Sequence, residues 1–254
     1  MFIEVKNLEK IYGAANEYQT KALDGISFTV QEGEFIGIMG ASGSGKSTLL
    51  NILAAIDTPT AGQVKFEDQD ITLLDKNALA RFRKDKLGFV FQEYNLLDTL
   101  TIEENIILSL SLRNIPKLEI QQKVDWIAQT LGIADILRKF PYQVSGGQKQ
   151  RCACARAMVV NPCLLLADEP TGALDSKAAH ELLDTFEQIN QEYHTTILMV
   201  THDVFSASYC SRVLFVRDGK IYQELQREQN SKTEMLQELL KIVSDREGEK
   251  LNVN

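Results

Sequence analysis

The stretch Gly40-Ala41-Ser42-Gly43-Ser44-Gly45-Lys46-Ser47-Thr48 decides the fold of this 254-residue chain, because it matches the G-x4-G-K-[ST] pattern of a phosphate-binding loop. Residues 35–39 before it form an apolar run typical of a buried strand, and residues 49–55 after it are typical of a helix. A strand, a glycine-rich loop and a helix in this order predict a P-loop in an α/β domain.

Each residue type in this loop suits a phosphate chain. Glycines let backbone N–H groups approach the phosphate oxygens closely, and the start of the following helix presents positive charge. We expect Lys46 to reach the β- and γ-phosphates and the Ser47 hydroxyl to ligate a magnesium ion that bridges them. The predicted nucleotide contacts are Gly40, Ala41, Ser42, Gly43, Ser44, Gly45, Lys46, Ser47 and Thr48, the last as a backbone donor. An incidental glycine-rich turn is the alternative, and the flanking strand and helix favour the P-loop.

Charge and composition exclude some functional classes. The chain has 35 acidic and 27 basic residues, a net charge of -8, and no cluster of Lys or Arg, so nucleic acid is not an expected partner. No run of 18 apolar residues is present, and the alternating pattern begins within the first residues. We therefore expect a chain that is neither secreted nor membrane-spanning by itself. The four cysteines lack metal-ligand spacing and are expected to be buried thiols in a reducing compartment.

The segments around the P-loop predict three further structural units. Residues 2–8 and 26–30 alternate in polarity and predict an antiparallel sheet at the N-terminal edge. Residues 93–162 are almost wholly helical in pattern, with a capping box at residues 101–104, and predict an all-helical insertion. A last amphipathic helix follows residue 223, with docking on the domain as the favoured interpretation and a partner contact as the alternative. Its apolar positions are Met235, Leu236, Leu239, Leu240 and Val243.

Polar residues stand where several apolar strands end. Gln92 follows residues 87–91, Asp168 and Glu169 follow a strand that begins at residue 163, and His202 follows residues 196–200. Open α/β sheets bind ligands at the carboxyl ends of their strands. Asp168 is therefore a predicted magnesium partner, and Glu169 can orient and deprotonate an attacking water. Taken alone, each residue also fits a solvated turn or a structural role.

A second glycine-containing motif, Ser145-Gly146-Gly147-Gln148, precedes another helix. Ser145 is a plausible N-cap, and the two glycines leave backbone N–H groups bare at the positive helix end, which predicts a second anion site. One nucleotide does not need two such sites. Tyr12, an aromatic residue ahead of the P-loop, can stack on a purine or can simply pack against its neighbours.

Together, in this order, these motifs resemble the ATP-binding subunit of ABC transporters along nearly the whole chain. The resemblance implies an α/β fold: a P-loop NTPase (RecA-like) core, an N-terminal antiparallel β subdomain and an inserted all-helical subdomain. Residues 1–222 would form the ATPase domain, with the helical subdomain at about residues 93–162, and residues 223–254 a C-terminal helical extension. Val144 stands where signature motifs of the family most often have leucine.

The family's roles transfer to matching positions, with ATP and Mg2+ as the implied ligands. The resemblance implies adenine stacking by Tyr12, a Q-loop glutamine at Gln92, a switch histidine at His202 and the general base at Glu169. Its implied catalytic residues are Glu169, His202, Gln92 and Lys46, its implied metal ligands Ser47, Gln92 and Asp168, and its signature motif Ser145, Gly146, Gly147 and Gln148.

The resemblance also accounts for two anion sites. Two copies would pair so that the signature motif of one covers the γ-phosphate held by the P-loop of the other. Residues 92–97, which begin at Gln92, would contact an integral-membrane permease formed by another chain. The pair would therefore lie at the cytoplasmic face of the membrane.

Residues 88–101, 168–177 and 207–210 are similar to the Bce-type group, which gives resistance to bacitracin, lantibiotics and related peptides. Such systems imply a sensor kinase reached through the permease. MacB-like exporters and the lipoprotein-releasing ATPase share the Asp-Glu-Pro-Thr-Gly-Ala/Asn-Leu-Asp stretch and are the alternative.

Three other classes of protein use similar ATPase units. The ATPase head of a DNA-repair machine would bring a coiled coil or a DNA-binding domain, and a translation-associated ATPase would need two cassettes. A purely regulatory nucleotide-binding module has no use for both Glu169 and His202 beside a P-loop and a signature motif.

Overall fold

Two β-sheets form the framework of the domain. The computed structural model describes residues 1–14, 18–113, 115–227 and 231–251, with side chains as far as residue 245. The strands are β1 (Ile3–Tyr12), β2 (Thr20–Val30), β3 (Phe35–Met39), β4 (Ala61–Phe66), β5 (Gln69–Asp70), β6 (Leu87–Val90), β7 (Leu164–Asp168), β8 (Thr196–Thr201), β9 (Arg212–Arg217) and β10 (Lys220–Gln226). The helices are α1 (Lys46–Leu53), α2 (Lys76–Lys86), α3 (Ile102–Ser111), α4 (Lys117–Thr130), α5 (Gly146–Met158), α6 (Ser176–Tyr193), α7 (Val204–Ala207) and α8 (Lys232–Leu251).

The larger sheet has the order β10-β9-β3-β8-β7-β6 and is parallel from β9 to β6. Both of its faces are covered, so successive residues of β3 enter different cores: Phe35 lies in one apolar cluster and Ile36 in the other. This explains why the central strands are continuous apolar runs. All of β3 and β8 is buried, and the carboxyl ends of β3, β7 and β8 lie side by side.

The smaller sheet has the order β2-β1-β4-β5 and is antiparallel, as the alternating N-terminal pattern predicted. It packs over α1 and one face of the larger sheet, where Leu8 and Leu23 share an apolar cluster with Leu49 of α1. Strand β1 continues to Tyr12, beyond the predicted end at residue 8, and β2 begins at Thr20.

The helical insertion contains α3, α4 and α5. Their apolar residues belong to the same cluster as the other face of the larger sheet, since Ile106, Ile127 and Cys154 share it with Leu165 of β7. Helix α3 begins at the predicted capping box, in which Thr101 and Glu104 satisfy each other's backbone N–H groups. Residues 93–100, which precede this predicted helix start, are loop and turn, and side chains of α3 and α5 bind their backbone groups.

The boundary predicted between the ATPase domain and the C-terminal extension does not coincide with the end of a strand. Strand β10 continues to Gln226, so the predicted boundary after residue 222 lies inside a strand paired with β9. Helix α8 docks on the domain as predicted, with Met235 and Leu239 fully buried in the larger sheet's helix-covered cluster. Leu240, in contrast, is 49% exposed.

Two further expectations concern the surface and the thiols. In the described parts of the chain, no helix has the length and apolar character needed to span a membrane. Cys152, Cys154 and Cys210 are buried as predicted, whereas Cys163 is exposed because it lies in the connection just before the buried strand β7.

Candidate functional site

The P-loop connects β3 to α1, as its sequence context predicted. Gly45 caps the helix with a φ of 102°, and a Cβ there would collide with the carbonyl oxygen of Ala22. A Cβ on Gly40 would collide with the carbonyl oxygen of Val216. Gly43 has a φ of 77° and nothing within 4 Å of the position of a Cβ. Two glycines therefore permit close backbone packing, and the third leaves the loop open to a ligand.

Lys46 is buried within this loop. Its Nζ donates hydrogen bonds to the carbonyl oxygens of Gly40 at 2.8 Å and Ala41 at 2.9 Å. Burial lowers the pKa of Lys46, while the carboxylates of Glu169 and Asp168 act in the opposite direction. A buried ammonium with carbonyl partners is suited to meet an anionic ligand, because a phosphate oxygen is a stronger acceptor than a peptide carbonyl.

Ser47 and Asp168 come together as the sequence predicted. The Ser47 hydroxyl donates to Asp168 Oδ1 at 3.3 Å, across a separation of 121 residues. Burial raises the pKa of Asp168, and the charge of Glu169 adds to that effect. No group of three or more His, Cys, Asp or Glu side chains able to hold a metal occurs among the described residues. A hydroxyl beside one carboxylate fits Mg2+, which keeps several waters and takes one or two protein oxygens plus substrate phosphates.

The structure also pairs Glu169 with His202. Oε1 of Glu169 lies 2.9 Å from Nδ1 of His202, and Oε2 accepts the backbone N–H of His202 at 3.3 Å. Glu169 has a φ of 48°, a conformation that is uncommon for a residue with a side chain. Its backbone N–H donates to the carbonyl oxygen of Val200 at 2.9 Å, which ties this turn to β8. The carboxylate is therefore held by the residue that follows β8, and the Glu169 side chain is 11% exposed.

A buried hydrogen-bond chain supports the His202 loop, and sequence reasoning did not identify it. The hydroxyls of Thr171 and Ser206 lie 2.9 Å apart, and Ser206 donates from its hydroxyl to Asp203 Oδ2 at 2.6 Å. Asp203 also caps α7 through the backbone N–H groups of Phe205 and Ser206. The sequence did contain a signal for this chain. Asp203 comes soon after an apolar strand and lies three residues before Ser206, and an Asp at such a position is typical of the start of a helix.

Tyr12 lies at the end of β1 and is 43% exposed. Its hydroxyl donates to Asp57 Oδ2 at 2.8 Å, and Lys10 Nζ lies 4.8 Å from the ring centroid. The pKa of Tyr12 is raised, chiefly by burial, and a hydrogen bond with the Thr48 side chain opposes the rise. Tyr12 is therefore beside the end of the P-loop, where base stacking was predicted. Nothing in the local pattern indicated Asp57 as its partner.

The remaining predicted residues do not join this cluster. Ser145 caps α5 in a capping box with Gln148, through bonds of 3.3 and 3.0 Å, so the N–H groups of Gly146 and Gly147 stay without helical partners. Within the described ranges, no hydrogen bond connects residues 145–148 to the P-loop, and Gln92 is exposed and forms no hydrogen bond. A single copy of the chain thus contains two separate candidate anion sites.

Sequence comparison identifies relatives over almost the entire chain. A family model described as ABC transporter matches residues 23–172. The chain is 49% identical to the bacitracin export ATP-binding protein BceA of Halalkalibacterium halodurans, over 94% of each chain. It is 48% identical to the ABC transporter ATP-binding protein YxdL of Bacillus subtilis, over 95% of this chain and 93% of that protein. Identity to the macrolide export ATP-binding/permease protein MacB of Hyphomonas neptunium is 40% over 87% of this chain, which covers 34% of that protein.

Structural comparison agrees with the sequence matches. The ATP-binding cassette MJ0796 of Methanocaldococcus jannaschii, in a dimeric post-hydrolysis state bound to ADP and Pi, superposes with a TM-score of 0.83. That match is 37% identical and covers 88% of this chain and 98% of the other. The predicted α/β P-loop fold and the family resemblance are both confirmed. The chain belongs to the ABC transporter family, as an ATP-binding subunit that hydrolyses ATP.

Proposed function

We propose that the chain powers a separate integral-membrane permease, and that the transport system exports, or gives resistance to, antimicrobial peptides such as bacitracin and lantibiotics. The observation that carries this proposal is the 49% identity to a bacitracin export ATP-binding protein over 94% of both chains. The matched length also supports a subunit of the same kind as that protein. The MacB-like relative, which represents the alternative, is about three times as long as the part of it that this chain matches.

For ATP binding, we assign the P-loop to the phosphates. Lys46 would exchange its bonds to the carbonyl oxygens of Gly40 and Ala41 for bonds to the β- and γ-phosphates, and Tyr12 would stack on the adenine. Ser47, Asp168 and Gln92 would hold Mg2+, which when bound would offset the negative charge of the phosphates. The 3.3 Å contact between Ser47 and Asp168 supports this assignment, since it brings a hydroxyl oxygen and a carboxylate oxygen together beside the P-loop.

For hydrolysis, we assign the general base to Glu169. Its carboxylate would accept a proton from the water whose oxygen attacks the γ-phosphorus, as the bond to the ADP oxygen breaks. His202 would keep that carboxylate oriented, which the 2.9 Å contact with Oε1 supports. Gln92 would help to position the water when it moves toward the P-loop.

Two copies of the chain would share the nucleotides. The Ser145–Gln148 motif has N–H groups available at the start of α5, and it lies outside the P-loop cluster of its own chain. A second copy related by a two-fold axis would place this motif over the γ-phosphate. The dimeric state of the MJ0796 cassette bound to ADP and Pi supports this arrangement.

The permease would dock beside residues 92–97 and hold the pair at the cytoplasmic face of the membrane. A groove of about 470 Å³ adjoins this segment, with Phe91, Leu108 and Leu112 among its apolar residues and Arg83 and Arg156 among its basic ones. This lining suits a cytoplasmic segment of the permease that carries apolar side chains and at least one carboxylate. A sensor kinase would be reached only through the permease.

The test is bacitracin and nisin susceptibility in cells that lack this chain but retain the permease. Complementation would use the wild type, Glu169→Gln, and Glu119→Gln as a matched control at a surface glutamate whose side chain is 49% exposed. We expect resistance to return with the wild type and with Glu119→Gln, and to stay absent with Glu169→Gln. Unchanged susceptibility to both peptides, with ATP turnover in vitro, would refute the peptide assignment and favour the MacB-like or lipoprotein-release alternative.

A further inference from the structure

Asp57 lies in the turn between α1 and β4 and connects that turn to the end of β1. Its Oδ2 accepts a hydrogen bond from the Tyr12 hydroxyl at 2.8 Å. Its Oδ1 accepts one from Lys10 Nζ at 2.6 Å and one from the backbone N–H of Thr58 at 2.7 Å. Burial acts to raise the pKa of Asp57, but these donors outweigh it and hold the pKa below its ordinary value. The carboxylate is therefore ionised at neutral pH, and each of its oxygens accepts a hydrogen bond.

Lys10 reaches the same carboxylate from β1. Its side chain is largely buried, and its Nζ also donates to the carbonyl oxygen of Thr58 at 2.7 Å. The ammonium lies 4.8 Å from the centroid of the Tyr12 ring, within the range of a cation–π contact. Lys10 therefore balances the charge of Asp57 and covers one face of the ring. Because Tyr12 is partly exposed, the ring still presents surface to a ligand.

Backbone hydrogen bonds fix the position of this turn relative to β1. The N–H of Thr60 donates to the carbonyl oxygen of Glu9 at 2.8 Å, and the N–H of Ile11 donates to the Thr60 hydroxyl at 2.9 Å. On the other side, the N–H of Asp57 donates to the carbonyl oxygen of Asn51 in α1 at 3.2 Å. The turn is therefore attached both to β1 and to the helix that begins at the P-loop.

Tyr12 is thus held from both ends of α1. Its hydroxyl has a hydrogen bond with the Thr48 side chain in the first turn of this helix, and another with Asp57 beyond the helix end. Phosphates at the start of α1 would therefore lie at a fixed distance from the ring. A ring that is already held loses little rotamer freedom when a base stacks on it, and a ligand then binds more tightly.

We propose that Asp57 and Lys10 are positioning residues for the nucleobase, which hold the Tyr12 ring in place before the nucleotide binds. This inference rests on the proposed function, because that function assigns the adenine to Tyr12. It adds two side chains that contact the ring and not the nucleotide. Their contribution to affinity therefore depends on the base, and it is absent for a ligand that consists of phosphates alone.

The experiment measures the affinity of the full-length chain for two ligands by equilibrium titration with Mg2+. ADP contains the base, and inorganic pyrophosphate contains two phosphates without a base. Asp57→Ala removes the acceptor, Lys10→Met removes the charge but keeps most of the apolar stem, and Tyr12→Phe removes only the hydroxyl. The matched controls lie at exposed positions on or beside the smaller sheet and are Asp68→Ala, Lys6→Met and Tyr18→Phe.

We expect the affinity for ADP to fall about fivefold in each test variant, the size of one net hydrogen bond, while the affinity for pyrophosphate stays unchanged. Asp57→Ala combined with Tyr12→Phe should lose no more than Asp57→Ala alone, because both changes remove the same bond. The three controls should bind both ligands as the wild type does.

Two results would overturn the inference alone. Equal losses of affinity for ADP and pyrophosphate in Asp57→Ala would indicate a merely structural role near the P-loop. Wild-type affinity for ADP in Asp57→Ala, beside a loss of about tenfold in Tyr12→Ala, would show that the base stacks without this support. Wild-type affinity for ADP in Tyr12→Ala would instead refute the placement of the adenine in the proposed function, and the inference with it.

Discussion

The pairing of Glu169 with His202 predicts a specific pattern of kinetic losses. Glu169→Gln keeps the size of the side chain and removes its ability to accept a proton. General base catalysis contributes about 10²- to 10⁴-fold to a rate, so turnover should fall by that factor. ATP binding should persist, because the P-loop contacts are untouched, and the variant should accumulate as an ATP-dependent dimer.

The His202→Ala loss should be much smaller. This variant removes the 2.9 Å bond to Oε1 but leaves the backbone N–H of residue 202 bonded to Oε2. A hydrogen bond to a charged group contributes about 1.5–3 kcal/mol when well shielded. The His202 side chain is 69% exposed, so a value near the lower end or below it applies. About 1 kcal/mol corresponds to a roughly fivefold loss of turnover.

The assay is phosphate release at saturating ATP for the wild type, both single variants and the double variant. If His202 acts by orienting Glu169, its replacement should have little further effect once Glu169 is Gln. Size-exclusion chromatography with ATP gives the dimer population in parallel. Glu119→Gln supplies the matched control at an exposed glutamate.

Two results would refute this reasoning. Wild-type turnover in Glu169→Gln would show that another group accepts the proton. A fivefold loss from His202→Ala that persists in the Glu169→Gln background would show that His202 contacts substrate or water independently of the carboxylate.

Three further perturbations test the P-loop, the metal site and the buried Asn105 side chain, which bonds to the backbone of Leu97. Lys46→Ala should weaken ATP binding about tenfold to a hundredfold, which corresponds to the loss of one hydrogen bond with a charged group. The control is Lys177→Ala, at a side chain that is 88% exposed, which should bind ATP as the wild type does in equilibrium titration. Burial raises the pKa of Asp168 above its value in the unfolded chain. The nucleotide-free protein therefore loses stability as pH rises through the raised pKa and this carboxyl group ionises. Asp168→Asn should therefore raise the Tm at pH 7 by an amount that shrinks toward acidic pH, and a lower Tm at pH 7 would contradict this. Asn105→Leu should cost about 2–4 kcal/mol in denaturant unfolding, because buried backbone groups lose their partners, and a loss below about 1 kcal/mol would contradict that role.

Several features of the site were predictable because they depend on short stretches of chain. The P-loop follows from nine consecutive residues between an apolar strand and a helix, and the caps at Thr101 and Ser145 follow from residues three positions apart. Asp168, Glu169 and His202 were recognised as strand-end residues for the same reason. Parallel strands place their carboxyl ends at one edge, so their convergence near the P-loop followed from the strand pattern.

Other features depend on contacts between distant segments. The hydroxyl of Tyr12 bonds to Asp57, 45 residues away, and Arg156 bonds to the backbone of Tyr94, 62 residues away. Residues 93–100 form a loop ahead of the predicted helix start at Thr101, and Arg156 and Asn105 supply hydrogen-bond partners for the backbone of this loop. No local pattern contains that information.

The sequence by itself therefore determined the motifs, the alternation of strands and helices and the chemical types of the site residues. Periodicity, capping and loop chemistry act within a few residues, so they can be read along the chain. Only the tertiary structure decided that Glu169 bonds to His202 and that Arg156 of α5 bonds to the carbonyl oxygen of Tyr94. Those contacts exist because two separate apolar clusters pack segments from distant parts of the chain against the larger sheet.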